Sequence, residues 1–171
     1  MCKNIRVMKL EMKTCCVIGH RDFEKTKELE LRVKRTVTYL IEKENVTEFL
    51  FGSKSKFTDF CYDVVTEHKE IVSSLKRIFI RAEYPIISDD YHNYLKTFYE
   101  DSYFYSEKQR SNKFSYIRRN QVMIEKSDFC IFYYNANYLP KTPRQSGTRI
   151  AYEYAIKKEK RIFNLYKEER N

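Results

Sequence analysis

Glycine is scarce in this chain, with three in 171 residues. That scarcity excludes two familiar nucleotide signatures. Neither a GxGxxG dinucleotide fingerprint nor a GxxxxGK[ST] phosphate loop occurs. Long apolar runs are also missing, and none approaches the roughly 20 residues a membrane helix needs. The stretch from Met1 to Met12 has no apolar core of signal-peptide length, so a cytoplasmic protein without membrane partners is expected. Residues 1–12 are expected to be a flexible lead, since Met8 and Met12 are also plausible starts. The five cysteines (Cys2, Cys15, Cys16, Cys61, Cys130) form no CxxC pair and sit mostly in apolar runs. They read as reduced, buried thiols, with no metal site and no cofactor.

What is present is ordinary for a globular domain: 42% hydrophobic and 33% charged residues. The length suits one domain, residues 13–171, with a real core. The net charge is +9. Much of the basic charge alternates with glutamate, as in "KTKELELRVKR", the pattern of a solvated helix face rather than a concentrated nucleic-acid stripe.

Apolar runs at Lys13 to Ile18, Val46 to Phe51, Lys76 to Ala82, Asp128 to Tyr134 and Arg161 to Tyr166 predict five strands. Helical spacing predicts helices between them. Leu29, Val33, Val37 and Ile41 mark the first, Phe57 to Val72 the second, and Asn112 to Lys126 and a segment opened by Ser146-Gly147 the later ones. His68 falls on an apolar helix stripe and reads as a core-boundary residue. Residues 84–108 form an aromatic insertion, read as a short helix plus irregular chain. This alternation predicts an α/β, Rossmann-like three-layer fold, a mainly parallel five-stranded sheet of order 3-2-1-4-5 with helices on both faces.

All three glycines fall where strands hand over to helices: Gly19, Gly52 and Gly147. That edge of an open parallel sheet binds ligands. Glycine there is expected to give tight turns and close backbone approach, and a following helix N-terminus favours an anion. The candidate ligand-binding residues are therefore Gly19, His20 and Arg21; Gly52, Ser53 and Lys54; Arg119 and Asn120; and Ser146, Gly147 and Thr148. Adjacent helical residues diverge by about 100°, so Arg118 is expected in solvent if Arg119 faces the site. Asp59 and Glu153 are the carboxylates best placed for catalysis, and His20 is a candidate general base. Arg81 and Glu83 end the third strand and are candidates to touch a ribose. The tyrosines from Tyr84 to Tyr105, with Tyr133, Tyr134 and Tyr138, can stack on a base or form an interface.

Four segments carry a family resemblance: "CCVIGHRDF", "FLFGSKSKFTDFCYDVVTEHK", "RRNQVMIEKSDFCIFYY" and "SGTRIAYEYAIKK". Together they resemble the SLOG superfamily, and within it the YpsA-like (DUF1273) branch of bacterial and phage proteins. The resemblance implies a Rossmann-like domain that binds a nucleotide or a nucleotide-derived ligand, ADP-ribose-like or a nucleoside phosphate, as a sensor in defence or stress systems. It also implies a distant kinship with LOG-type phosphoribohydrolases. Arg119, Met123 and Asp128 match the first part of their signature. The glutamate that closes it is not matched, because Arg149, Ile150, Ala151 and Tyr152 intervene before Glu153. Binding is thus expected ahead of N-glycosidic hydrolysis. Single-stranded nucleic-acid binding, known among distant SLOG proteins, is a second alternative, and a homo-oligomer is a natural partner for the aromatic surface.

Overall fold

The computed structural model describes residues 11–52, 55–106, 114–139 and 146–167. The elements in order are β1 (Lys13–Gly19), α1 (Lys27–Glu42), β2 (Val46–Phe51), α2 (Lys56–Ile71), β3 (Lys76–Arg81), α3 (Asp89–Lys96), β4 (Asp101–Phe104), α4 (Ser115–Glu125), β5 (Phe129–Tyr133), α5 (Gly147–Lys157) and β6 (Arg161–Asn164). The sheet runs β4-β3-β2-β1-β5-β6, and each neighbouring pair is parallel. The expected order of five strands is present, with β1 central. The correction is a sixth strand, β4, which joins the edge beyond β3.

The strands read as continuous apolar runs because both faces are covered. Cys15 and Val17 face one side, with Phe49, Phe51, Phe129 and Ile131, and pack under α1 and α2. Cys16 and Ile18 face the other, with Leu50, Ile78, Ile80, Cys130 and Phe132, under α4 and α5. The four described cysteines are free and buried. Helix starts follow local chemistry: Thr26, Ser55 and Ser88 each accept a backbone N–H three residues on, capping α1, α2 and α3. His68 bridges two helices at the core boundary, reaching Thr38 Oγ1 at 2.8 Å and the Val64 carbonyl at 2.9 Å. Among the described residues, no helix is long and apolar enough to cross a membrane.

Strand β4 is held from a distance. Arg77 donates to the Glu100 carboxylate through its backbone N–H (2.7 Å), Nε (3.1 Å) and a terminal nitrogen (2.7 Å). Glu100 N–H returns a bond to the Arg77 carbonyl at 2.9 Å. This clasp sets the register Ile78↔Asp101 through Arg81↔Phe104. Of the aromatic insertion, Tyr99 goes inward and stacks on Phe79 (5.1 Å). Tyr84, Tyr91, Tyr94 and Phe98 line up ring against ring on the outside.

The glycines also need a correction. None has a positive φ, so none is there for a left-handed turn. A Cβ on Gly19 would lie 2.4 Å from Phe57, and one on Gly52 would lie 2.7 Å from Arg119 Nε, whereas one on Gly147 would meet nothing within 4 Å. The first two make room for packing. Gly19→Ala is therefore expected to destabilise by about 1–3 kcal/mol through overpacking. Gly147→Ala should leave stability unchanged or raise it by up to about 1 kcal/mol. Urea unfolding of the two variants beside the parent checks both signs.

Candidate functional site

The carboxyl ends of β1 and β5 lie side by side, with Gly19 in register with Tyr133. His20 follows and is 2% exposed. Its backbone N–H donates to the Tyr133 carbonyl at 3.2 Å. Its ring stacks on Tyr138, with centroids 4.1 Å apart and an interplanar angle of 23°. Nε2 accepts the Asn135 backbone N–H at 3.1 Å, which leaves the neutral ring's proton on Nδ1. That proton faces Ser146 Oγ at 3.4 Å. Burial pulls His20 below its usual pKa of 6.5. The general-base role is therefore corrected: one nitrogen is occupied as an acceptor and the other already carries a proton.

Ser146 precedes α5 at the capping position, yet its side chain makes no capping bond. Its hydroxyl turns to His20, so among the described residues no side chain caps the first amides of α5. Space beside Gly147 is open. These groups border a cleft of about 360 Å³ lined by His20, Tyr134, Asn135, Ala136, Asn137, Tyr138, Leu139, Ser146 and Arg149. Tyr134 is itself braced by stacking on Tyr152 at 4.5 Å. The cleft thus presents two aromatic faces, the open start of a helix and a guanidinium, a set suited to a flat ring and an anion.

A second cluster stands at the end of β2. Arg119 on α4 is 4% exposed. One terminal nitrogen donates to the Gly52 carbonyl. Nε and the other terminal nitrogen donate to Asn120 Oδ1, at 3.2 and 3.1 Å. The guanidinium lies 5.5 Å from the Tyr116 ring centroid. Among the described residues no carboxylate forms an ion pair with it. Burial lowers its pKa to about 10, with a partial offset from the charge of Glu83, so it keeps its charge at neutral pH. Met123, four residues on, packs against the same glycine.

The sequence-derived candidates therefore separate into groups. His20 and Ser146 meet in the cleft, Gly147 and Thr148 open α5 beside it, and Gly52, Arg119 and Asn120 form the second cluster. Gly19 serves packing against Phe57. Arg21 is exposed and does not line the cleft, and Arg118 is exposed and pairs with Glu125 at 3.0 Å. Ser53 and Lys54 lie outside the described residues. Glu153 is not part of the cleft lining but pairs at 2.8 Å with Arg149, which is. Asp59 is exposed in the first turn of α2, where a carboxylate favours the helix dipole. Sequence reading missed Asn135 and Arg149. Asn135 could have been flagged by its place straight after a strand, where Asn-Ala-Asn builds a turn with Asn137 N–H on Asn135 Oδ1 (2.8 Å).

No family model matches the chain, and no curated protein matches it. Among solved structures it is similar to DNA processing protein A from Helicobacter pylori, studied for its unique single-stranded DNA binding mode. The TM-score is 0.55 and the identity 16%, over 89% of this chain. The chain spans 64% of the length of that protein's chain. The likeness is one of fold: a Rossmann-like α/β domain on a parallel sheet.

The buried, neutral His20 has a consequence for stability. A folded-state pKa below 6.5 means that the unfolded chain takes up a proton first as pH falls. The His20 contribution should be complete above about pH 6.5 and decline below it, down to the folded-state pKa. His20→Gln is expected to flatten the stability profile between about pH 6.5 and 5, measured by urea unfolding. A slope that survives the substitution would mean that the ring titrates as freely folded as unfolded.

Proposed function

We propose that the chain binds single-stranded nucleic acid at the carboxyl edge of its sheet, holding a backbone phosphate beside Arg119 and stacking a base in the cleft lined by Tyr134 and Tyr138. The observation that carries this reading is Arg119. A guanidinium taken out of water without a carboxylate partner is costly, and a phosphate oxygen is the partner its remaining donors fit. The open start of α5 adds a second anion-favouring feature on the same edge. The net charge of +9 supports a polyanionic ligand, as does the fold shared with a single-stranded-DNA-binding protein. Base stacking on tyrosine is tolerant of sequence, so little sequence preference is expected.

A free nucleotide-derived ligand, ADP-ribose-like or a nucleoside phosphate, is the second reading. The cleft volume of about 360 Å³ favours it, because that falls within the range of small-molecule sites. So does the resemblance of the G-H-R and S-G-T segments to the YpsA-like SLOG branch. A LOG-type hydrolase has less support, since Glu153 is paired with Arg149 and does not itself line the cleft.

The two readings differ in salt dependence. Binding of a short oligothymidylate should weaken with salt, with a log–log slope of about −0.7 per phosphate contacted. Arg119→Gln should remove a charge-assisted bond worth about 1.5–3 kcal/mol, roughly tenfold to more than a hundredfold in affinity. Lys27→Ala, on exposed α1, should change affinity far less. Fluorescence anisotropy with the oligonucleotide, run beside calorimetry with ADP-ribose and AMP, decides. Saturable ADP-ribose binding with no oligonucleotide binding would transfer the site to the second reading.

A further inference from the structure

The two outer strands of the sheet carry opposite charge. One is β4, with α3 packed beside it. From residue 83 to residue 101 the chain has Glu83, Asp89, Asp90, Glu100 and Asp101 against Lys96 alone. Glu100 is taken up by Arg77. Among the described residues the other four carboxylates form no ion pair. Beside them Tyr84 (63%), Ile86 (78%), Tyr94 (53%) and Phe98 (43%) stay exposed. On a chain of net charge +9, an acidic and aromatic surface of this kind points to a cationic protein partner. The other outer strand, β6, is such a surface. Lys157, Lys158, Arg161 and Lys167 are exposed there, with Glu159 among them. Arg161 pairs with Glu44 at 3.0 Å, and Lys157, Lys158 and Lys167 form no ion pair among the described residues. Tyr39 of α1 flanks β6, 6.2 Å from the Phe163 ring and 40% exposed. Among the described residues no strand pairs with the outer side of either β4 or β6.

The strand register sets these charges at matching heights. One row crosses the sheet through Asp101, Ile78, Leu50, Cys16, Cys130 and Ile162. Asp101, at the amino end of β4, is therefore level with Ile162, next to Arg161. At the carboxyl end, Glu83, Asp89 and Asp90 follow β3, while Lys167 follows β6. Strands β4 and β6 run in the same direction, since every neighbouring pair in the sheet is parallel. Setting β6 of one copy beside β4 of another thus brings unlike charges together at both ends. The aromatic residues agree, because the Phe98 carbonyl is held by Tyr62 of α2 and Tyr39 belongs to α1, on the same face of the sheet. A symmetric contact of the acidic side with itself would instead oppose Asp89 and Asp90 to their own copies, which is repulsive. We propose that the acidic, aromatic β4–α3 side is a docking surface for the basic β6 side of a second copy of this chain. Such a head-to-tail contact uses two different surfaces and can repeat from copy to copy.

The contact needs no ligand, so analytical ultracentrifugation of the whole chain without nucleic acid tests it. The average mass of the parent should rise with concentration past that of a dimer and fall again as salt screens the charges. Asp89→Lys with Asp90→Lys, and separately Lys158→Glu with Lys167→Glu, should each weaken self-association about tenfold or more. An equimolar mixture of the two double variants should associate again, because the intact basic side of one still meets the intact acidic side of the other. A parent that stays monomeric at its highest soluble concentration overturns the proposal. So does a dimer that the lysine changes leave intact, which marks a symmetric contact. A mixture that stays monomeric, with both variants folded by circular dichroism, overturns the pairing of these two sides. Should the aspartate variant be unfolded, Tyr94→Ser decides: self-association weaker by about tenfold supports the contact, and an unchanged one overturns it.

Discussion

Removing a guanidinium from water costs several kcal/mol unless an anion and good hydrogen bonds go with it. Arg119 accepts that cost at the centre of this fold. It reaches from α4 under the end of β2, holds the Gly52 carbonyl and is steadied by Asn120. Room for it exists because residue 52 has no side chain, and because Met123 packs against the same spot. The parallel order β3-β2-β1-β5 then places His20, Ser146 and Arg81 along the same edge. Burial, backbone and topology converge on a cation that lacks a carboxylate partner among the described residues.

The neighbouring cleft uses burial the opposite way. His20 is kept neutral, with one nitrogen accepting Asn135 N–H and the other turned to Ser146. A neutral imidazole stacked on Tyr138 is a fixed aromatic wall rather than an acid or base. Diverting Ser146 to that wall leaves α5 without a side-chain cap. The cleft itself joins aromatic side chains to the Arg149 guanidinium and the start of α5.

Much of the fold was legible because the core strands are buried on both faces. Runs such as Cys15–Ile18 and Phe129–Phe132 cannot be read as anything half-exposed. Strand β4 was not legible. Its four residues, Asp101–Phe104, begin polar and carry no alternation that marks a strand. They are extended because Glu100 is clasped by Arg77, 23 residues earlier. Contacts that distant leave no local signal. The placement of Gly19, Gly52 and Gly147 at one edge of the sheet was legible, but the reason for the glycines was not. Gly19 and Gly52 yield space to Phe57 and Arg119, a demand that only tertiary packing reveals. Arg149 was passed over because its pairing with Glu153 at helical spacing looks like any solvated face.

The central claim is that a phosphate-bearing strand lies along the carboxyl edge of the sheet and meets Arg119. Titrating a short oligothymidylate into ¹⁵N-labelled protein and following its backbone and arginine Nε–H resonances tests this most directly. The account predicts that the perturbed resonances cluster at His20, Gly52, Arg119 and Ser146 to Arg149, with the Arg119 Nε–H among the largest shifts. Perturbations confined to the opposite edge, around Lys13, Asn45, Arg77 and Arg161, would contradict it.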